Sequence, residues 1–341
     1  MIAAAPAGCA APPSTSFDVA LLDLDGVIYI GPHAVEHAER SLAEARAAGM
    51  RLGFVTNNAS RTSGEVADHL GDLGVEAVPA DVVTSAQAGA RLLADRFPPG
   101  SRVLAVGGPG VALALREFAL SPIESQDEDP VAVLQGFGRE VGWRQLADAS
   151  LAVRAGAYWV ATNLDATLPV PGGRAPGNGM LVAAVAEAAG RRPDAVAGKP
   201  HAPLMVESVE RLHARRPIVV GDRLDTDIAG AVGLSIPSLL VLTGVTDVVT
   251  LLAATPDRRP TLVSLDLRGL IEPHPEVVTS GRDAWSARES RAFAESGRLT
   301  VEIGPRREGW EDAVRCACAA AWSEPGLDVV EAAAALAAGR P

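Results

Sequence analysis

Short apolar runs alternate with helical patterns along most of this chain, and the alternation predicts the fold class. An apolar run at 18–24 precedes a helical pattern at 34–48, and an extended run at 51–56 precedes another at 64–73. Successive strand–helix pairs of this kind form parallel sheets with right-handed crossovers. We therefore predict a parallel α/β sheet in this part of the chain.

The same alternation returns in the second half of the sequence. Strands are predicted at 217–220 and 237–242, with a helix at 225–232 between them and an edge strand at 261–264. We expect this stretch and the first one to be halves of one doubly wound sheet.

The segment between the two halves has strands and helices of its own. The predicted strands are 103–106, 131–134 and 158–161, and the predicted helices are 86–97, 143–156 and 180–190. This set is enough for a small α/β domain inserted into the first one. The sequence therefore predicts a doubly wound parallel-sheet core at 17–84 and 193–272, with an α/β cap at 85–192.

The character of the sequence changes after Pro273. Residues 273–341 contain Ala-rich helical patterns at 310–322 and 327–338 and a strand at 299–303. We find no catalytic motif in this segment and interpret it as a C-terminal extension to which the sequence assigns no role.

Composition and charge exclude several classes of partner. The 341 residues are 48% apolar with a mean hydropathy of +0.17, so the chain can bury a sizeable core. The formal charge of −12 repels polyanions and no basic patch offsets it, so we expect no nucleic-acid partner. No membrane segment or signal peptide is recognised, and three cysteines are too few for a disulfide framework. We expect a cytoplasmic protein of undetermined oligomeric state, a homodimer included.

The motif Asp23-Leu24-Asp25-Gly26-Val27 ends the first predicted strand. Residues two apart on a strand face the same side, so both carboxylates can point at one site. The carboxyl ends of parallel strands are where doubly wound sheets bind ligands. Two carboxylates this close need a cation beside them or a shared proton.

Thr56-Asn57-Asn58 ends the next predicted strand. Its hydroxyl, side-chain amides and backbone N–H groups are suitable donors for phosphate oxygens. The alternative is an Asx turn, which explains one asparagine more easily than the trio.

A third acidic motif follows the strand at 217–220. Asp222, Asp225 and Asp227 lie within six residues, where they can cap a helix and complement its dipole. They can equally bind a hard metal ion, and oxygen ligands of this type suit Mg²⁺. We favour the metal site because Asp23 and Asp25 are expected at the same edge of the sheet.

Lys199 is the one lysine in the sequence, against 29 arginines. A single lysine in an arginine-rich chain indicates a position where a compact ammonium is needed and a planar guanidinium does not fit. It lies in Gly198-Lys199-Pro200, just before a predicted helix, which again places it in a loop at the sheet edge.

These motifs, DLDGV, TNN, GKP and GDRLDTD, occur in an order that resembles the haloacid dehalogenase superfamily of aspartate-nucleophile phosphatases. About a hundred residues of α/β cap between TNN and GKP are similar to the class IIA capped branch. That branch includes NagD-type, 4-nitrophenyl phosphate, phosphoglycolate and glycerol-phosphate phosphatases. The resemblance covers residues 17–272, and some actinobacterial glycerol-3-phosphate phosphatases have a similar C-terminal extension.

The resemblance implies a role for each motif. Asp23 would attack phosphorus and form an aspartyl phosphate, while Asp25 would protonate the leaving alcohol and later take a proton from water. Lys199, with Thr56, Asn57 and Asn58, would hold the phosphoryl oxygens. The metal would be Mg²⁺, bound by the Asp23 carboxylate, the Asp25 backbone carbonyl and Asp222. Asp227 would be either a direct ligand or a partner of one.

In capped enzymes the cap loop selects the leaving group. The candidate loop here contains Asn163 and Asp165 as hydrogen-bonding groups and Arg174 as its cation. This set favours a polyol leaving group such as glycerol over a carboxylate such as glycolate.

The sequence therefore predicts an enzyme, a Mg²⁺-dependent phosphatase of a small phosphorylated metabolite, with glycerol 3-phosphate as the preferred candidate. Three alternatives stay open: a phosphatase of another ester (phosphoglycolate, a nucleoside monophosphate or an aryl phosphate), a phospho-acceptor protein without turnover, and a non-catalytic binding protein of the same architecture.

Overall fold

The computed structural model describes residues 5–170, 172–281 and 283–341 and divides the chain into two compact units. The first unit is Met1–Leu52 with Ala214–Pro341, and the second is Gly53–His213. The predicted cap, 85–192, lies wholly inside the second unit. That unit also contains residues 53–84 and 193–213, which were predicted to belong to the core.

Four buried parallel strands organise the first unit. Val19–Leu22 pairs with Pro217–Gly221, which pairs with Ser238–Val241, which pairs with Leu262–Ser264. Their side chains are almost all buried, which explains why they read as continuous apolar runs rather than alternating ones. A short hairpin, Tyr29–Ile30 with His33–Ala34, lies in the same unit. The helices of this unit before the extension are Pro13–Ser16, Ala38–Ala47, a π-helical turn at Leu224–Ile228, Ala229–Gly233, Val248–Leu252, and 3₁₀ turns at Pro256–Arg258 and Leu267–Leu270.

The second unit contains a five-stranded parallel sheet. Its strands lie in the order Ala195–Val196, Tyr158–Ala161, Ala132–Gln135, Arg102–Val106 and Ser121–Ile123. Arg51–Thr56 pairs in parallel with Val82–Thr84, and Thr167–Val170 forms a hairpin with Gly173–Pro176. The helices of this unit are Ser63–Asp72, Ser85–Ala94, Pro109–Glu117, Trp143–Arg154, Asn178–Ala189 and Ala202–Arg211, with 3₁₀ turns at Pro79–Asp81 and Gln126–Glu128. Trp159 is fully buried in the core under two of these helices. The parallel sheets confirm the predicted α/β class.

The C-terminal extension contains more β-structure than the sequence predicted. Besides the expected helices, seen at Gly309–Ser323 and Val330–Ala338, it forms a four-stranded antiparallel sheet of Val278–Thr279, Ala284–Ala287, Ser290–Glu295 and Arg298–Glu302. Buried and exposed positions alternate along Ser290–Glu295, as expected for a sheet with one face on a core. The helix Gly309–Ser323 covers that face.

Buried polar contacts connect the extension to the parallel sheet of the first unit and to the helix Val248–Leu252. The Arg315 guanidinium donates to the Val263 carbonyl at 2.8 and 3.1 Å and to Asp312, which also binds Arg288. The Trp322 ring N–H donates to the Leu251 carbonyl at 3.2 Å. Cys316 and Cys318 are fully buried, and burial raises the pKa of the Cys316 thiol to about 12, which keeps it protonated. The extension therefore belongs to the core of the first unit and does not form a separate domain.

Candidate active site

Asp23 begins a tight turn directly after the strand Val19–Leu22. Its N–H donates to the Val220 carbonyl at 2.8 Å, so the neighbouring strand fixes its backbone. The Leu24 carbonyl then accepts the N–H of Ile28 at 2.9 Å, which reverses the chain and leaves Asp25 exposed. Gly26 has φ +80°, and a Cβ at this position would lie 2.5 Å from a carboxylate oxygen of Asp222. The turn therefore requires glycine both for its backbone conformation and for its closeness to Asp222.

Asp222 follows the strand Pro217–Gly221 and is held by a loop at 243–246. The Val245 N–H donates to its Oδ2 at 2.6 Å, and the Thr246 N–H donates to its backbone carbonyl at 3.1 Å. The Thr243 hydroxyl donates to the Gly26 carbonyl at 2.5 Å, which joins the same loop to the turn after Asp25. The sequence analysis missed this loop, although its signal was present as a Thr-Gly pair at the end of a predicted strand.

Asp227 lies in the π-helical turn Leu224–Ile228, where the sequence predicted an ordinary helix from 225. Its Oδ2 accepts the Arg223 N–H at 3.2 Å. Turns of this kind concentrate at functional sites. Asp225 points elsewhere and pairs with the Arg223 guanidinium at 2.9 Å, and this hydrogen bond lowers the pKa of the Asp225 carboxyl.

Three carboxylates converge in the first unit. Oxygens of Asp23, Asp222 and Asp227 all lie within 4.8 Å of one another, and both Asp222 and Asp227 are buried. Buried carboxylates at this spacing repel one another unless a cation lies between them. Hard oxygen donors are the ligands that Mg²⁺ prefers, so this set fits the predicted ion. The Asp25 carboxylate is not part of this group, and the contribution of its backbone carbonyl stays a prediction.

In the second unit Asn57 and Lys199 bind each other reciprocally. The Lys199 N–H donates to Asn57 Oδ1 at 2.8 Å, and Asn57 Nδ2 donates to the Lys199 carbonyl at 3.1 Å. Lys199 is 5% exposed, and its ammonium donates to the Val55 carbonyl at 3.1 Å. A Cβ at Gly198 would lie 2.5 Å from Asn57 Oδ1, which explains the glycine before the lysine.

Asn57 also binds the predicted cap loop. Its Nδ2 donates to Asp165 Oδ2 at 3.1 Å, and its carbonyl accepts from Asn163 Nδ2 at 2.7 Å and from the Ser85 hydroxyl at 2.6 Å. Asn163 is 4% exposed, and its Oδ1 accepts the Asp165 N–H at 3.1 Å. The structure thus brings Asn57, Asn163, Asp165 and Lys199 into one hydrogen-bond network.

Thr56 and Asn58 are arranged differently. Thr56 is buried, and its hydroxyl accepts the Asn58 N–H at 3.0 Å. The Asn58 side chain accepts from the N–H and hydroxyl of Ser60 at 2.9 and 2.7 Å. Asn58 therefore forms the Asx turn that was the alternative interpretation of this motif, whereas Asn57 does not.

Comparison with known proteins places these motifs in a family. A profile described as a haloacid dehalogenase-like hydrolase matches residues 20–121, and one described as HAD-hydrolase-like matches residues 196–270. The chain is 47% identical over 268 residues to the D-glycerol 3-phosphate phosphatase of Mycobacterium tuberculosis, covering 79% of this chain and 75% of that protein. Together the matches span the stretches that carry the acidic motifs and Lys199.

Solved structures agree with this assignment. A crystal structure of glycerol phosphate phosphatase from M. tuberculosis in complex with magnesium matches with a TM-score of 0.86 at 41% identity, over 97% of this chain and 99% of that one. The 4-nitrophenylphosphatase of Thermotoga maritima matches with a TM-score of 0.70 at 28% identity, over 76% of this chain and 98% of that one. The T. maritima fold is thus almost fully covered by about three quarters of this chain.

These findings bear out the predicted enzyme class and cofactor. Within the described ranges, no helix has both the length and the apolar character that a membrane crossing needs. Sequence motifs, fold and relatives agree, and the chain belongs to the haloacid dehalogenase-like hydrolases, within their class IIA capped phosphatases.

Proposed function

We propose that this protein is a Mg²⁺-dependent phosphatase that hydrolyses glycerol 3-phosphate. The convergence of Asp23, Asp222 and Asp227 carries the proposal, because three carboxylates after parallel strands, two of them buried, provide the metal-binding half of such a site. The substrate is supported by the 47% identity to a relative named for it.

Asp23 is proposed as the nucleophile. One of its carboxylate oxygens attacks phosphorus, the bond from phosphorus to the alcohol oxygen breaks, and an aspartyl phosphate forms on the chain. Asp25, which is exposed and outside the three-carboxylate group, gives its proton to the departing alkoxide. It then takes a proton from water, whose oxygen attacks phosphorus and releases inorganic phosphate while restoring the Asp23 carboxylate.

The carboxylates of Asp23 and Asp222 and the Asp25 carbonyl would hold Mg²⁺, with Asp227 as a ligand or as the partner of one. The ion neutralises phosphoryl charge when bound. The contribution of the chain is to orient the ligands, and the Val245 N–H does so for Asp222 at 2.6 Å.

Thr56, Lys199 and the backbone N–H groups near Asn57 are proposed to bind the phosphoryl oxygens. The side-chain amide of Asn57 is occupied by Lys199 and Asp165, which supports a role in positioning Lys199. The sequence analysis predicts that Asn163 and Asp165 contact the alcohol. Their hydrogen bonds to Asn57 favour a positioning role instead.

Phosphate release from glycerol 3-phosphate tests the proposal. We expect turnover with Mg²⁺, none with EDTA, and none for Asp23→Asn, because a neutral amide cannot form the aspartyl phosphate. Asp25→Asn should strongly reduce kcat and leave substrate binding in place. Asp225→Asn is the matched control, since Asp225 pairs with Arg223 outside the carboxylate group. Full activity of folded Asp23→Asn would disprove the mechanism, and a single labelling event without turnover would favour a phospho-acceptor protein.

A further inference from the structure

The last residues of the extension contact the segment that leads into the 243–246 loop. Arg340 lies just after the helix Val330–Ala338, and its guanidinium donates to the Leu242 carbonyl at 2.6 Å. Leu242 immediately precedes Thr243, the residue that binds the Gly26 carbonyl. A side chain of the extension thus acts one residue away from the loop that holds Asp222.

A second contact fixes the other side of Leu242. Its N–H donates to the carbonyls of Ser264 and Leu265 at 3.1 and 3.2 Å. Glu311, in the first turn of the helix Gly309–Ser323, accepts the Ser264 hydroxyl and the Leu265 N–H, both at 2.6 Å. The extension therefore binds Leu242 directly through Arg340 and indirectly through Glu311.

The 243–246 loop has little freedom to adjust if Leu242 shifts. A Cβ at Gly244 would lie 2.0 Å from Asp222 Oδ2, so the loop backbone already touches the carboxylate. A displaced loop would lose the 2.6 Å bond from the Val245 N–H or collide with Asp222. Groups that orient a metal ligand influence metal affinity without touching the metal.

We propose that Arg340 and Glu311 are positioning residues for the metal site, acting through Leu242 and the 243–246 loop on Asp222. The proposal rests on the proposed function only in taking Asp222 as a Mg²⁺ ligand. Its direct measure is Mg²⁺ affinity, which does not depend on the identity of the substrate. The proposal gives a function to the C-terminal extension, in which the sequence showed no catalytic motif.

Mg²⁺ titration calorimetry of the purified full-length protein tests the proposal. We expect Arg340→Ala and Glu311→Ala each to raise the Kd for Mg²⁺ about threefold, because each acts on Asp222 only through the loop. The double variant should raise it about tenfold, which is the lower end of the loss seen for groups that orient metal ligands directly. Arg340→Lys and Glu311→Gln keep a donor and an acceptor, and they should restore most of the affinity. Arg306→Ala is the matched control, because Arg306 belongs to the same extension but pairs with Glu289 at the surface.

The Mg²⁺ concentration for half-maximal phosphate release should rise in parallel, with kcat at saturating Mg²⁺ close to that of the wild type. Melting of the metal-free variants separates this effect from general destabilisation, and Kd is measured well below each midpoint. An unchanged Kd in the double variant, whether or not its metal-free Tm falls, would overturn the proposal. Weakened Mg²⁺ binding in a protein without phosphatase activity would support the proposal and refute the proposed function.

Discussion

Replacing Asn163 with alanine separates two explanations of the cap loop. If Asn163 contacts the alcohol, the variant should lose activity on glycerol 3-phosphate and keep it on 4-nitrophenyl phosphate, whose leaving group has no hydroxyls. If Asn163 positions Asn57, activity on both substrates should fall equally, because the phosphoryl group is common to both. The buried amide with both ends hydrogen-bonded inside the protein leads us to expect equal losses.

The structure sets the size of the effect. The substitution removes the 2.7 Å bond to the Asn57 carbonyl and the 3.1 Å bond from the Asp165 N–H. The Asn57 carbonyl keeps its bond from the Ser85 hydroxyl, so it is not left unpaired, and each lost bond is worth about 1 kcal/mol. If the full loss of about 2 kcal/mol is added to the activation free energy, kcat/KM falls about 30-fold on both esters.

The assay is kcat/KM for both esters at saturating Mg²⁺, measured side by side for the wild type, Asn163→Ala and Leu164→Ala. Leu164 is the control because it lies between the two loop residues and is exposed. A loss of tenfold or more confined to glycerol 3-phosphate would refute the positioning argument and restore the prediction that this loop contacts the alcohol.

Two further predictions concern buried titratable side chains. Lys199→Arg should lose most of kcat although the charge is kept, because the planar guanidinium does not fit the buried position near the Val55 carbonyl. If Lys199→Arg were as active as the wild type while Lys199→Ala was inactive, charge alone would matter. Burial and then the nearby Arg315 charge lower the pKa of His274 from 6.5 to about 4, so between these pH values the unfolded chain binds a proton that the folded chain excludes. The free energy of unfolding should therefore fall by up to about 3 kcal/mol as the pH drops from 6.5 to 4. Urea titrations over this pH range should show the fall in the wild type and a smaller one in His274→Gln. An identical pH dependence in the two proteins would contradict the pKa argument.

Much of the parallel α/β architecture could be predicted from the sequence because parallel strands are buried on both faces. The strands Arg51–Thr56 and Tyr158–Ala161 were predicted to the residue. The acidic motifs were equally visible, since chemistry at strand ends is local in sequence. The grouping of Asn57 with Asn163 was not, because it depends on hydrogen bonds between segments about a hundred residues apart.

In the sheet of the extension, the strand predicted at 299–303 is observed at Arg298–Glu302, but the other three strands were missed. Ala284–Ala287 and Ser290–Glu295 consist largely of small and charged residues and lack the β-branched residues that identify strands. The usable signal was Ser296-Gly297, a two-residue turn in which both φ angles are positive, 53° and 76°. The loop at 243–246 was missed because it holds Asp222 through backbone N–H groups, and the Thr243-Gly244 pair that marks it in the sequence was not interpreted.

The order in which the two halves of the first unit are synthesised has a consequence for folding. Val19–Leu22 leaves the ribosome early, but its partner Pro217–Gly221 and the N–H groups of Arg215 and Arg216 that bind Asp18 follow about two hundred residues later. The five-stranded sheet of the second unit has all its strands within residues 102–196, so it can pair while the chain is still being made. Contacts so distant in sequence form slowly, and an apolar strand without its partner is prone to aggregate. We expect the edge of the first strand that pairs with Pro217–Gly221 to stay unpaired until the second unit has emerged, and this edge is where a chaperone has most to protect.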